Sequence, residues 1–209
     1  MTRARRLRGD AGTTLMELVV GMLIMTIFMG MFTSAVVMMN QATTKAESVN
    51  NTSSQLNQAF LALDKTVRYA AAISTPGKGS PSGDWFVELR STNSGVEVCT
   101  QLRLRAAVTT QQLERRTWTV TGTTVSNLSS WKQLASSITN GGVASGTDQP
   151  FALNAQSDAV DFQQLTVQLV STSGSGSTST TSSSSVTFTA INSRIPLPTG
   201  AICQEVARS

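Results

Sequence analysis

Glu17 stands immediately before a long uncharged run, residues 18–39, about one turn inside the expected start of a helix. A carboxylate at the edge of hydrocarbon is costly and usually marks function. It gains something from a helix N-terminal dipole, and more from a positive group brought by another chain. Two cysteines, Cys99 and Cys203, follow the apolar run. On the outer side of a membrane such a pair sits where disulfides form. The bridge would close a loop of about a hundred residues and contribute about 4–5 kcal/mol in the chain-entropy model. Arg103 and Arg105 share one face of an expected strand, with Arg115, Arg116 and Trp118 on its neighbour. A basic, aromatic-bearing hairpin has the chemistry to grip nucleic acid. Glu97 and Glu114 can balance it as an ordinary solvated sheet face, and that reading is preferred, so nucleic acid is not the expected partner.

Other chemistry is thin. The chain has no histidine, which removes the usual general acid–base near neutral pH and the commonest zinc or copper ligand. Asp148, Asp158 and Asp161 offer oxygens in a loop-rich stretch, but their spacing fits no defined calcium loop. Serine and threonine are abundant without a base to activate them. No metal, cofactor or catalytic residue is expected, and the chain is not read as an enzyme. The formal charge of +4 is concentrated in the first ten residues, where Arg3, Arg5, Arg6 and Arg8 face only Asp10. The basic balance therefore describes a short tail rather than a nucleic-acid-binding domain.

The elements that position these residues can be read from periodicity. Residues 18–39 would span roughly 33 Å as a helix, enough to cross a bilayer core. The preceding arginines place the N-terminus in the cytoplasm and everything after about Asn40 outside. Seven of the eight methionines lie within residues 16–39, as suits flexible packing of an apolar helix against many neighbours. A secretory signal peptide would have a shorter apolar core. A plain signal anchor fits the length but leaves Glu17 unexplained. Beyond Met39 the pattern stays helical: Val49, Leu56, Phe60, Leu63, Val67 and Ala70 recur on one face. No Gly or Pro intervenes before Pro76, so one helix is expected over residues 14–73, roughly 90 Å long.

Residues 74–209 read as β-rich. Strands are expected at 85–90, 95–107, 112–121, 160–171 and 186–192, with 131–138 a short helix or strand. The Ser/Thr-rich run 171–185 is expected as a flexible loop, because its composition cannot bury a core. The fold class is α+β: one long N-terminal helix packed on a C-terminal antiparallel sheet.

The stretch Gly12-Thr13-Thr14-Leu15-Met16-Glu17-Leu18, after a basic leader and before a long apolar helix, resembles the processing motif of type IV pilin-like proteins. The resemblance implies cleavage by a prepilin peptidase between Gly12 and Thr13 and N-methylation at Thr13. Residues 1–12 become a leader, 13–39 a membrane and filament-core helix, 40–73 its amphipathic continuation and 74–209 the globular domain. It also implies that the Glu17 carboxylate meets the Thr13 ammonium of a neighbouring subunit during assembly. The family's usual Phe is Thr13 here, and the Pro common in the apolar segment of major pilins is missing. Arg115-Arg116-Thr117-Trp118, residues 131–135, Pro150-Phe151 and residues 190–192 look like minor subunits of the J or W class. The implied partners are the peptidase, other pilin or pseudopilin subunits and the cytoplasmic membrane. The implied setting is a pilus, a type II secretion filament or a DNA-uptake apparatus. The alternative is a signal-anchored β-domain acting as a monomeric binding module.

Overall fold

The computed structural model describes residues 14–107, 110–140, 149–155, 161–174, 179–193, 202–203 and 208. The chain has one long N-terminal helix followed by an antiparallel β-sheet domain, an α+β architecture. Helix α1 covers Leu15–Arg68, ending five residues short of the expected boundary. Ala72 and Ile73 leave the helix to pair with Arg90 and Leu89, so sheet pairing outweighs the helix propensity of the alanines that precede them. The chain divides into two compact units, Met1–Ala46 and Glu47–Ser209.

In the first unit, residues 18–39 of the helix carry apolar side chains on every side. Leu18, Val19 and Val20 are consecutive and each about half exposed, so no single face is hidden. The helix is long and apolar enough to cross a membrane, and none of its apolar stretch is buried within the chain. Its threonine hydroxyls bond the preceding turn. Thr26 donates its hydroxyl to the Leu23 carbonyl, and Thr33 and Thr43 donate theirs to Met29 and Met39. Each hydroxyl is thus satisfied within the helix.

In the second unit the helix is one-sided. Leu56, Ala59, Leu63 and Val67 are buried at steps of three and four, the spacing that keeps one stripe facing a sheet. The strands are β1 (Ala72–Ile73), β2 (Gly77–Lys78), β3 (Trp85–Asn93), β4 (Val96–Arg105), β5 (Gln111–Thr121) and β6 (Thr124–Ser126). They continue with β7 (Lys132–Ile138), β8 (Phe151–Asn154), β9 (Gln164–Ser173) and β10 (Thr180–Thr189). The sheet runs β1-β3-β4-β5-β7-β9-β10, with β2, β6 and β8 paired at the sides of β3, β5 and β9. The helix stripe shares one apolar cluster with Val87, Leu89, Leu102, Leu104, Leu113, Leu165, Val167 and Leu169.

At both ends the Ser/Thr-rich run is strand, where its composition predicts loop. Strand β9 continues to Ser173 and β10 begins at Thr180, with unbroken pairing from Thr180↔Ser173 to Thr189↔Gln164. Edge strands need little apolar burial, and cross-strand hydroxyl pairs support them. Thr166 and Thr187 meet at 2.8 Å and Thr172 and Thr181 at 3.3 Å. Residues 131–138, left between helix and strand, form β7.

Candidate functional site

The N-terminal candidate begins at Thr14, which precedes the first helical residue. The Glu17 amide donates to the Thr14 carbonyl at 2.9 Å and approaches the Thr14 hydroxyl at 3.4 Å. Thr14 is therefore the N-cap and Glu17 the third helical residue, the Thr-x-x-Glu spacing of a capping box. This gives Glu17 a local role, a carboxylate in the positive first turn of a helix. Its surroundings downstream are exposed apolar side chains. Gly12 and Thr13, the expected cleavage and methylation positions, lie outside the described residues.

The second candidate is the sheet face turned away from the helix. Alternation along β3, β4 and β5 puts Phe86, Glu88, Cys99, Gln101, Arg103, Glu114, Arg116 and Trp118 there. Two parts of this face have different chemistry. Cys99 and Cys203 are joined in a disulfide with a Cα–Cα distance of 6.0 Å. Both are buried with Trp118 and Val120 in a small apolar cluster.

Beside it runs a polar layer. Glu88 is buried. It accepts hydrogen bonds from Gln101 Nε2 at 2.7 Å, Ser74 Oγ at 2.6 Å and Arg208 Nε at 3.0 Å. Burial alone would raise its pKa, but Arg208, Ser74 and Gln101 together lower it below the usual 4.5. Gln101 passes the network on by accepting from Arg116 Nε at 2.7 Å. The Arg116 pKa is pushed down by burial and by the charge of Arg103, against the pull of Glu88. Arg103 donates to Glu114 at 2.9 Å and lies 3.5 Å from Asp84. Trp131 binds the two guanidiniums to one ring, with Arg103 at 4.0 Å and Arg116 at 4.4 Å from its centroid.

The four arginines named from the sequence therefore part company. Arg103 and Arg116 meet, but on Trp131 rather than Trp118. Arg103 is inserted between two carboxylates, with a side chain only 13% exposed. Arg105 is exposed at the end of β4, and Arg115 sits opposite Leu102 on the other face. This arrangement spends the charge of Arg103 internally and does not form a four-arginine grip. Asp148 and Asp158 lie outside the described residues, and Asp161 is exposed. Among the described residues no group of acids or cysteines could hold a metal.

The sequence reading missed Asp84, Glu88, Gln101 and Arg208 as network members. Arg208 and Glu88 are 120 residues apart, and no local spacing encodes such a pair. The closeness of the tail does leave one signal, in glycine: a Cβ on Gly79 would collide with the Arg208 carbonyl and the Phe86 ring. No protein-family model matches the chain, and no curated protein or solved structure is significantly similar to it.

Proposed function

We propose that this chain is a minor pilin or pseudopilin of the J or W class. It would be a filament subunit trimmed by a prepilin peptidase after Gly12 and assembled through its N-terminal helix. The observation that carries this reading is Glu17 in the first turn of a helix whose following apolar residues are exposed on all sides. A lone anchor needs the apolar residues but not the carboxylate. In a filament, neighbouring helices would cover the apolar residues, and the Thr13 ammonium of an adjacent subunit would compensate Glu17. The one-sided stripe from Leu56 to Val67 would then carry the sheet domain outside the membrane.

The test is the intact mass and N-terminal sequence of membrane-extracted protein, made with and without a prepilin peptidase. Peptidase-dependent loss of Met1 to Gly12, leaving Thr13 at the terminus, is expected. An uncut chain, or a cut beyond Met39, would reduce the chain to an anchored or secreted β-domain. Co-purification with other pilin-like proteins tests the minor-subunit assignment, and recovery as a lone monomer would count against it.

A further inference from the structure

Strand β10 closes the sheet at one end, and among the described residues only β9 pairs with it. Among the described residues nothing pairs with its other side, the kind of edge that natural proteins usually protect with charge, proline or a bulge. None of these devices is present: Thr180–Thr189 reads TTSSSSVTFT, and its register against β9 is continuous. Beside this edge lies an open groove of about 580 Å³, lined by Asn57, Phe60, Leu61, Asp64, Val186 and Phe188. Leu61 at its rim is 73% exposed. The only carboxylate in the groove, Asp64, is already paired with Arg68.

We propose that β10 and this groove receive an extended, uncharged segment of a different polypeptide, with apolar residues at alternate positions, by strand addition. Backbone pairing along β10 would supply affinity, and every second side chain would enter the groove. A second copy of β10 fits less well. Two β10 strands paired antiparallel in one sheet keep the same face up, so even-numbered residues meet even-numbered ones. In a register using nearly the whole strand, Ser182 and Ser184 of the second copy would lie over Val186 and Phe188. Bringing the apolar pairs together would sacrifice much of the ladder. The opposite end of the sheet has only the two-residue strands β1 and β2 to offer. A foreign strand with regular alternation satisfies the ladder and the groove together.

The test uses the full chain in lipid nanodiscs and a labelled ten-residue peptide of alternating Thr and Val. Empty nanodiscs, a peptide N-methylated at every amide, and a block-sequence peptide of the same composition serve as controls. Saturable binding is expected, weakened about tenfold or more by Val186→Lys or by Leu61→Asp and lost with the N-methylated peptide. Leu61 is exposed, so Leu61→Asp keeps the test valid if Val186→Lys misfolds. Binding that ignores both substitutions, or that is equal for the block or N-methylated peptide, would overturn the proposal. So would the absence of saturable binding, or a dimer of the chain that a Ser185→Cys cross-link traps in place of peptide.

Discussion

The two faces of the sheet are closed by opposite means. Toward the helix, Leu63, Val67, Val87, Leu89, Leu102 and Leu104 exclude water with no more than 1% of their surface exposed. On the far side a disulfide, ion pairs and one tryptophan hold the C-terminal residues and β3–β5 together. The first closure is non-directional, so any apolar stripe at the right helical spacing could supply it. The second depends on particular atoms at particular distances, and removing one partner leaves the others buried and unsatisfied. An apolar stripe is enough to attach a helix. Cys203 and Arg208 are held here by a covalent bond and by charge-assisted bonds instead.

Four experiments would break or sharpen this contrast, each read by fluorescence of Trp85, Trp118 and Trp131, which all lie in the sheet domain. Reducing Cys99–Cys203 has the largest expected effect. The bridge joins positions 104 residues apart, and a loop of that length stabilises by about 4–5 kcal/mol in the chain-entropy model. A urea midpoint unchanged by reductant would show that the tail needs no covalent tie. Leu63→Ala on the helix face should cost about 2–5 kcal/mol, with little dependence on salt.

Glu88→Gln should cost about 1–3 kcal/mol by weakening charge-assisted bonds, and the wild-type chain should show the matching pH dependence. The folded-state pKa of Glu88 lies below 4.5, so its ionisation adds stability that is present above the unfolded value. That stability is lost as pH falls through the folded value. The urea midpoint should therefore drop below pH 4.5 more steeply in wild type than in Glu88→Gln; parallel curves would remove Glu88 as the cause. The smallest effect belongs to Arg68→Ala. The Asp64–Arg68 pair is about half exposed, and its loss should shift stability by less than about 0.5 kcal/mol.

The contrast also explains what could be read in advance. Leu56, Leu63 and Val67 announce the helix face through their spacing, because an apolar stripe is a local pattern. Alternation likewise marks β3, β4 and β5. The far face carries its information across the chain. Glu88 reaches Arg208, and Trp131 draws Arg103 and Arg116 from two other strands. The sequence offered Trp118 for that role because it is nearer along the chain, whereas Trp118 is buried beside the disulfide. The serine-rich run misled for a different reason. Composition measures the capacity to form a core, and an edge strand such as β10 is stabilised by pairing with its neighbour.

The disulfide has a mechanical meaning as well. When tension is applied to the ends of an oxidised chain, everything between Cys99 and Cys203 is bypassed by the S–S bond. A fully stretched segment of this length would add roughly 350 Å of contour. Oxidised, the molecule withholds that extension: β5 to β10 lie inside a loop that carries no load while the bond holds. Reduced, the same pull could unravel the whole sheet. The bond thus caps how far one molecule can lengthen under force.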